Sequence, residues 1–380
     1  MTDALQVLQI RDCWLRLTEN WLYRQLCNLP DEIETHVACW ERANPGEFEL
    51  PHIRLVDGRS TGIGVVDALL DLADGTFALG WAADAFAVSQ RVRQRARLAE
   101  ELDVDLVHSH FGDIGWQDLR VARRAGAHHV VTFYGFDLTY MPQDDPVWKE
   151  RYRELFDAID LALFEGPHMA ETAEALGCPP QKTRVHHLGV DLEKLPFEPR
   201  SWEPGETLRV LLAGTFKEKK GFPYALRAIS RAREFVDVDV TLIGDAVDAE
   251  RSHREKEIIR EVIAEEGLAE DVELLGYQPY EELIRQGLEH HVFLSPSVHA
   301  ETGDTEGGAP VSIIEMLATG MMIVSTDHCD IPHVVHDGEW GLLAPERDVD
   351  ALVDQLRWLV EHPDRWEEMS RAGRAWIEEE

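Results

Sequence analysis

A chain of 380 residues is too long for one ordinary hydrophobic core, and its apolar content of 44% is enough to fill two domains. The 72 acidic residues outnumber the 37 basic ones and give a formal net charge of −35. Nucleic acid is therefore excluded as an expected partner, because binding phosphates requires clustered lysine and arginine.

The cysteines and the first residues of the sequence bear on its compartment. Five cysteines without a C-x-x-C pair predict buried thiols in a reducing environment rather than a zinc knuckle. The start of the sequence carries charges at Asp3, Arg11, Asp12 and Arg16, unlike a signal peptide. No apolar run reaches the roughly 18 residues that span a bilayer. We therefore expect a cytoplasmic protein.

Taken in chain order, residues 1–190 alternate apolar strands with helices. The predicted strands are Leu5–Ile10, Thr35–Cys39, Asp105–His110, His129–Phe133 and Leu161–Phe164. The predicted helices are Thr18–Leu29, Ser89–Leu102, Ile114–Arg124, Val147–Ala158 and Pro167–Leu176. Residues 44–80 show only weak periodicity. Strands that alternate with helices predict a parallel, doubly wound sheet, so we assign residues 1–190 to a first Rossmann-like domain.

Residues 191–207 are interpreted as a linker, because three prolines stand there among charged residues without periodicity. A second alternating series follows over residues 208–380. Its predicted strands are Leu208–Ala213, Asp239–Ile243, Val272–Leu275, His291–Pro296 and Met321–Ser325. Its predicted helices include Pro223–Phe235, His253–Glu266, Tyr280–Leu288 and Ala309–Thr319. The sequence thus predicts an α/β protein with two Rossmann-like domains.

The stretch from residue 295 to 325 places a glycine-rich loop between a strand and a helix. A helix start offers unpaired N–H groups and the positive end of the helix dipole, and glycines let an anion approach them closely. The predicted phosphate ligands are Gly307, Gly308, Ala309, Pro310 and Val311. Glu306 precedes this turn and Glu315 follows it, so both carboxylates could meet sugar hydroxyls of one ligand. The alternative is a glycine-rich loop that opens an ordinary amphipathic helix.

The loop Gly214–Gly221 is a second candidate phosphate site. It follows the predicted strand Leu208–Ala213, so its lysines would face a diphosphate at the carboxyl ends of the strands. The alternative is a solvated charge cluster on the surface.

Two loops of the first domain also follow predicted strands. His110 ends one strand and Tyr134 follows the next, at the edge where parallel sheets bind ligands. For His110, a structural role is favoured as much as a functional one.

Two further clusters favour simpler interpretations. Residues 327–336 contain histidine, cysteine and aspartate, but their spacing fits no closed zinc pattern, so we expect no metal. A predicted helix carries Arg91, Arg93, Arg95 and Arg97. For these we favour a solvated helix face over contact with anionic lipid head groups or a phosphate-bearing acceptor.

The run E-G-G-A-P-V-S-I-I-E-M, together with the loop Gly214–Gly221, resembles the retaining glycosyltransferases of family 4, and the resemblance extends over nearly the whole chain. That family has the GT-B fold, in which two Rossmann-like domains face each other across a cleft, and uses nucleotide-sugar donors. The resemblance implies that Glu306 contacts the donor hexose, that Glu315 holds the ribose, and that Lys220 faces the diphosphate.

The sequence departs from the family pattern at three places. The spacing from Glu306 to Glu315 is one residue longer than usual, and the extra residue falls in the Gly-Gly-Ala turn. Thr215 stands where the family has an arginine, so Lys217 is expected to act as the cation there, without the guanidinium fork. Tyr134 stands where many members have a histidine that faces the reacting sugar. Its hydroxyl keeps a polar contact but not a cationic one.

The resemblance implies a metal-independent, retaining transfer of a hexose from a nucleoside-diphosphate sugar to a hydroxyl of a sugar or lipid-linked acceptor, in exopolysaccharide, lipopolysaccharide or other glycoconjugate synthesis. The second domain would hold the donor, and the first would present the acceptor. The predicted catalytic residues are Glu306, Lys220, His110 and Tyr134. The predicted donor-binding residues are Glu315, Gly214, Thr215, Lys217, Gly307, Gly308, Ala309, Pro310 and Val311. No cofactor is expected besides the donor substrate.

Three other functions remain open. A GT-B epimerase would use the same donor site without an acceptor, and a non-catalytic partner would bind a nucleotide sugar without turnover. A Rossmann oxidoreductase is disfavoured, because no G-x-G-x-x-G follows the first strand of either domain.

A lipid-linked acceptor would bring the protein into peripheral contact with the inner face of the membrane.

Overall fold

The computed structural model describes residues 4–15, 19–44, 46–56 and 80–380 of the chain. The predicted helix start at Thr18 and most of the weakly periodic residues 44–80 lie outside this described part. The chain forms two compact units. The first unit is Met1–Phe164 with Ala170–His186, and the second unit is Glu165–Met169 with His187–Glu380.

The first unit is built on a parallel sheet. Its strands are β1 Leu5–Ile10, β2 Cys13–Trp14, β3 Ile33–Cys39, β4 Glu41–Arg42, β5 Ile53–Leu55, β6 Leu106–His110, β7 His128–Phe133, β8 Leu161–Phe164 and β9 Thr183–Val185. The helices up to residue 186 are α1 Asn20–Cys27, α2 Gly80–Glu101, α3 Gly112–Ala125, α4 Phe136–Thr139, α5 Met141–Asp144, α6 Val147–Ala158 and α7 Pro167–Ala175. Seven strands form the order β5-β3-β1-β6-β7-β8-β9, and β2 pairs with β4 separately.

The second unit repeats the plan with six strands. They are β10 Leu208–Ala213, β11 Val238–Ile243, β12 Val272–Gly276, β13 Val292–Ser295, β14 Met322–Thr326 and β15 Gly341–Ala344. Its helices are α8 Phe222–Ala232, α9 Glu250–Glu265, α10 Tyr280–Glu289, α11 Val311–Thr319, α12 Ile331–Val334, α13 Val349–Glu361 and α14 Trp366–Glu379. The strand order is β12-β11-β10-β13-β14-β15, and every pairing is parallel. The predicted pair of Rossmann-like, parallel-sheet domains is confirmed.

Helices cover both faces of the second sheet, because successive residues of a strand point to opposite faces. Along β10, Val210 and Leu212 pack into one apolar cluster with α8 and α13, while Leu211 and Ala213 pack into another with α11. All four residues are buried. A strand buried on both faces is apolar at nearly every position, which explains the clear sequence signal of β10.

The arginine-rich helix α2 is not simply a solvated face. Arg93 and Arg97 are exposed, but Arg95 is fully buried, with its Nη1 3.1 Å from Oδ1 of Asp118. Its guanidinium also lies 5.3 Å from the centre of the Trp40 ring. The predicted solvated face is therefore wrong for Arg95, because a carboxylate and an aromatic ring replace water around it. Among the described residues, no helix is both long and apolar enough to cross a membrane.

Residues 191–207 belong to the second unit and are packed into it through an arginine and two apolar side chains. Leu195 and Trp202 are buried, and the Trp202 ring stacks on Trp366. The guanidinium of Arg200 donates to the carbonyl oxygens of residues 198, 287 and 290, at 2.5, 2.6 and 2.9 Å. Burial lowers the pKa of Arg200 to about 10, so it stays charged near neutral pH. Two of these bonds, to residues 287 and 290, satisfy carbonyl groups at the end of α10.

Gly221, the residue before α8, is expected to tolerate no side chain. Its φ of +66° lies in the left-handed region, and a Cβ atom there would lie 1.9 Å from the carbonyl oxygen of Pro296. Gly267 is a matched control, because it has the same φ and no atom within 4 Å of its Cβ position. We expect Gly267→Ala to lower the free energy of unfolding by about 1–2 kcal/mol, the cost of left-handed backbone alone. Gly221→Ala should cost clearly more in urea unfolding, and equal losses would contradict this account.

Candidate functional site

Three loops of the second unit meet at the edge where its parallel strands end. They follow β10, β13 and β14 and comprise residues 214–221, 296–310 and 327–330. These strands are neighbours in the sheet, so their loops lie side by side. Open α/β sheets bind ligands at this edge. All the donor-site residues predicted in the second domain lie on the first two loops and on α11.

The carboxylate of Glu306 is at the centre of this arrangement. Its Oε1 lies 2.8 Å from Nζ of Lys220 and accepts a hydrogen bond of 3.0 Å from Oγ of Ser297. Burial by itself would raise the pKa of Glu306, but the ammonium groups of Lys220 and Lys219 outweigh it and lower the pKa to about 2. Glu306 is therefore a buried, ionised carboxylate. The structure brings together two of the predicted catalytic residues, Glu306 and Lys220.

Lys219 is a further cation beside this carboxylate, and no sequence motif assigns it. Its Nζ donates to Oδ1 of Asp304 at 3.1 Å and to the carbonyl oxygen of Thr305 at 2.7 Å, and lies 3.7 Å from Oε2 of Glu306. Burial would lower the pKa of Lys219, but the two carboxylates raise it overall. Lys219 thus stays charged. Spacing alone does not tell which lysines of a short cluster face the loop of Glu306.

The other predicted ligands on the first loop have different surroundings. Burial and nearby ammonium groups lower the pKa of Lys217. Oγ1 of Thr215 accepts a hydrogen bond of 3.3 Å from the hydroxyl of Tyr277, which follows β12. A Cβ atom at Gly214 would lie 3.2 Å from Cε of Lys220. The glycine therefore leaves room for the Lys220 side chain.

The start of α11 carries the next group of predicted ligands. The helix begins at Val311 rather than at Ala309, because Pro310 keeps an extended backbone with a ψ of 130°. Ala309 is buried just before this turn. Glu315 is the fifth residue of the helix, and 4% of it is exposed. The helix start and Glu315 thus belong to one rigid element, while Glu306 lies on the loop before it.

The two glycines after Glu306 allow a tight loop and a close neighbour. Gly307 has a φ of +76° and donates its N–H to Oγ1 of Thr305 at 3.1 Å. A Cβ atom at Gly308 would lie 2.2 Å from Oε2 of Glu165. The glycine therefore admits the Glu165 side chain, a neighbour that the sequence does not predict. Glu165 is far away in the chain, and no motif marks it.

His328 connects the third loop to Glu306. Its Nε2 accepts the backbone N–H of Glu306 at 3.1 Å, and its Nδ1 lies 2.6 Å from Oε1 of Glu346. Nδ1 of His299 lies 2.6 Å from the same oxygen. The ligand atoms of His299, His328 and Cys329 are close enough to share an ion. Since both ring nitrogens of His328 already have hydrogen-bond partners, the geometry favours a hydrogen-bonded network at this place.

In the first unit, His110 and Tyr134 lie side by side at the ends of β6 and β7. The Tyr134 hydroxyl donates to Nδ1 of His110 at 2.6 Å, and Nε2 of His110 donates to Oε1 of Gln9 at 2.9 Å. Burial lowers the pKa of His110 well below its usual value, so the ring is neutral. The Tyr134 ring packs on Trp21 and Phe111, with centroids 4.6 and 4.7 Å apart. Gln9 lies on β1, and sequence reasoning missed it.

Comparison with known proteins adds two family matches and several relatives. Residues 196–376 match the family model of Glycosyl transferases group 1, and residues 75–194 match that of Glycosyltransferase Family 4. The putative colanic acid biosynthesis glycosyltransferase WcaL of Salmonella typhimurium is 30% identical over 275 residues, which are 69% of this chain and 63% of the relative. The amylovoran biosynthesis glycosyltransferase AmsK of Erwinia amylovora is 30% identical over 281 residues, 73% of this chain and 66% of the relative. The match thus spans just under two thirds of these relatives' length.

Solved structures resemble the chain over nearly its full length. Anabaena Alr3699/HepE in complex with UDP and glucose has a TM-score of 0.75 at 14% identity, covering 99% of this chain and 95% of that one. Sucrose-phosphate synthase from Thermosynechococcus elongatus has a TM-score of 0.73 at 15% identity, covering 99% and 94%. These likenesses confirm the GT-B fold. The chain therefore carries a domain of the Glycosyltransferase Family 4 type over residues 75–194, followed by a domain of the Glycosyl transferases group 1 type over residues 196–376.

Proposed function

We propose that the protein transfers a hexose from a nucleoside-diphosphate sugar to a hydroxyl of an acceptor, with retention of configuration, in exopolysaccharide synthesis. The observation that carries the proposal is the ionised Glu306, held by Lys219 and Lys220 at the ligand-binding edge of the second sheet. A carboxylate suits sugar hydroxyls, and ammonium groups suit a diphosphate. Relatives named for colanic acid and amylovoran biosynthesis support the pathway class. The UDP and glucose bound to HepE support the donor class.

In this proposal the second unit binds the donor. Glu306 accepts hydrogen bonds from the hexose, Glu315 binds the ribose, and the N–H groups at the start of α11 bind the diphosphate. Lys220 turns from Glu306 to the diphosphate when the donor arrives, and Lys219 stays to balance the carboxylate. The remaining donor contacts are assigned to Gly214, Thr215, Lys217, Gly307, Gly308, Ala309 and Pro310.

The chemistry is the replacement of one bond to the anomeric carbon by another. The bond to the diphosphate breaks through an oxocarbenium-like state, and the acceptor oxygen bonds to the same face of the sugar. The acceptor proton passes to the departing diphosphate. Lys220 and the start of α11 stabilise the negative charge that develops on this leaving group, without requiring a metal ion. Such electrostatic stabilisation usually contributes more to catalysis than any other single effect.

The first unit is assigned to the acceptor, a sugar or a lipid-linked sugar. Tyr134 would contact the reacting sugar through its hydroxyl, since it stands at the end of a parallel strand. Because His110 is neutral and bonded on both nitrogens, its part is to hold the Tyr134 hydroxyl in place rather than to supply a proton.

A panel of nucleotide sugars, tested by thermal shift, is the experiment that tests the proposal. A donor that binds only the folded state stabilises it by about 2.7 kcal/mol at a concentration of 100 times its Kd. We expect a subset of nucleoside-diphosphate sugars to raise Tm, and the same sugars to yield a glycosylated acceptor by mass spectrometry.

The outcomes separate the competing functions. Conversion of the donor into another nucleotide sugar without an acceptor would identify an epimerase. Binding without any conversion would identify a non-catalytic partner. The absence of any shift with nucleotide sugars would overturn the proposal, and a shift with NAD or NADP would favour an oxidoreductase. Free hexoses at the same concentration serve as the control, since they lack the diphosphate.

A further inference from the structure

We propose that Glu346 is a positioning residue of the donor site, which acts through His328 on the backbone of Glu306. The proposal rests on the proposed function, because Glu306 is the residue assigned to the donor hexose. Neither Glu346 nor His328 belongs to the predicted donor contacts. Both lie outside the glycine-rich motif, after β15 and β14 respectively.

The first step is the tautomer of His328. Its side chain is fully buried, and Oε1 of Glu346 lies 2.6 Å from its Nδ1. A carboxylate accepts hydrogen bonds and does not donate them, so Nδ1 carries the proton. Burial lowers the pKa of His328 despite the opposing charges of Glu346 and Glu306, so the ring is neutral and Nε2 keeps a lone pair.

The second step is the bond from the ring to the loop. The lone pair on Nε2 accepts the N–H of Glu306 at 3.1 Å, and this bond fixes the backbone from which the carboxylate extends. The opposite tautomer would set an N–H of the ring against the N–H of Glu306. A carboxylate that sets the tautomer of a functional histidine is a familiar arrangement around metal ligands. Here the histidine whose tautomer is set by the carboxylate binds a backbone N–H group instead of a metal.

The third step is that Glu346 is itself held firmly. Its Oε2 accepts the backbone N–H of His299 at 2.8 Å, a bond that does not depend on the side chain of residue 299. Nη2 of Arg347 donates to the carbonyl oxygen of His299 and lies 3.3 Å from Oε1 of Glu218, which sits on the same short turn as the site's lysines. Glu346 is thus held by the backbone of His299, which Arg347 connects to the loop that carries Lys219 and Lys220.

Other titratable groups face the same network. Sγ of Cys329 lies 3.2 Å from Nε2 of His328, and burial raises the pKa of this thiol to about 12, so it stays protonated. The His299 ring contacts the His328 ring edge to face, with centroids 4.7 Å apart. Its side chain is 53% exposed, and its ring bonds to Glu346 rather than to Glu306. His299 is therefore a suitable control for effects of Glu346 that do not pass through His328.

The test uses Glu346→Ala, Glu346→Gln and the control His299→Ala. We expect Glu346→Ala to lower kcat for the transfer about tenfold, the scale of losing one hydrogen bond to a charged group. The affinity for the free nucleoside diphosphate should stay within twofold. Glu346→Gln keeps an oxygen that can accept the Nδ1–H, so it should retain more turnover than Glu346→Ala. His299→Ala should keep kcat within twofold of the unchanged protein.

Nitrogen-15 NMR of histidine-labelled and glutamate-labelled protein gives a readout that needs no substrate. The unchanged protein should show His328 protonated on Nδ1, with the assignment made from the signal missing in His328→Gln. In Glu346→Ala, the proton should redistribute to Nε2 and the Glu306 amide proton should shift upfield. A simple loss of structural support would lower Tm without changing the tautomer.

Three results would overturn the proposal. The first is an unchanged tautomer in Glu346→Ala, and the second is a loss of nucleotide affinity equal to the loss in kcat. The third is an equal effect of His299→Ala. If the unchanged protein transfers no sugar from any donor, the proposed function fails, and the tautomer and the Glu306 amide alone decide whether Glu346 positions this loop.

Discussion

Replacing Glu306 with alanine is expected to lower kcat for glycosyl transfer by roughly 100-fold, the scale seen when a preorganised electrostatic contact in an active site is removed. Affinity for the free nucleoside diphosphate should stay the same or increase. The reason is the ion pair of 2.8 Å between Glu306 and Lys220, because losing the carboxylate frees this ammonium group for a diphosphate. Calorimetric binding of the nucleotide and steady-state transfer rates measure the two effects separately.

Glu315→Ala is the matched variant. It should weaken the binding of the free nucleotide, which Glu306→Ala should leave unchanged or strengthen. Glu315 is assigned to the ribose, so its loss should weaken binding of the free nucleotide as much as it lowers kcat/KM. Both carboxylates are almost fully buried and both lie at the same loop–helix junction, so a general disturbance would affect them alike. Equal losses of nucleotide affinity in the two variants would refute this division of roles.

Glu306→Ala should also change the acid sensitivity of the fold. The pKa of Glu306 is lowered from 4.5 to about 2, so its ionised form contributes stability that is fully present above about pH 4.5 and is lost as the pH falls toward 2. A shift of this size corresponds to about 3 kcal/mol. Unfolding followed from pH 7 to pH 3 should therefore show a smaller acid-induced loss of stability in the variant. This measurement also verifies that the variant is folded when its activity is assayed.

Replacing Lys220 with alanine is expected to lower kcat/KM by tenfold or more, since a hydrogen bond to a charged group contributes about 1.5–3 kcal/mol. Lys217→Ala should cost less. Burial and neighbouring ammonium groups lower the pKa of Lys217, whereas Lys220 already reaches across Gly214 to the carboxylate at the centre of the site. Lys194→Ala is the control, because that lysine is exposed and pairs with Asp191 away from the loop.

The comparison of these lysines also tests the alignment of the loop. If Lys217→Ala is more damaging than Lys220→Ala, the threonine at position 215 has moved the diphosphate to a different cation, and the assignment of Lys220 is wrong. Affinity for the nucleoside without phosphates distinguishes a loss of contacts to the diphosphate from a general disturbance of the site. It should be unchanged in both variants if the lysines bind only the diphosphate.

The fold could be predicted where strands are long or buried on both faces. β10 and β14 are apolar runs, and the alternation of strand and helix around them predicts both Rossmann-like domains. β5, β9 and β15 were missed. They are three or four residues long and lie at the edges of their sheets, so neither an apolar run nor an alternating pattern has room to develop.

The candidate site could be predicted where a motif exists and not where contacts join distant residues. Glu306 and Lys220 were assigned from the resemblance, and the structure places them in contact. Lys219 was not assigned, because adjacent lysines on a short 3₁₀ turn have no spacing that tells which one faces a carboxylate. The bond from His328 to the Glu306 backbone joins residues 22 positions apart, and its partner Glu346 is 18 further on. Such contacts depend on the strand order and leave no local pattern.

The pairing of Lys220 with Glu306 has a consequence for which anions can enter. A carboxylate attached to the same chain competes for this ammonium group at a local concentration that small ions in solution do not reach. Inorganic phosphate or sulfate would have to displace Glu306 from Lys220 and leave Lys219, 3.7 Å from its Oε2, as the remaining ammonium partner of the carboxylate. In the proposed function, a nucleotide sugar would replace both partners at once, with phosphate oxygens for the lysine and hydroxyls for the carboxylate. We therefore expect the internal pair to favour a ligand that carries both chemical groups over small anions that carry only one.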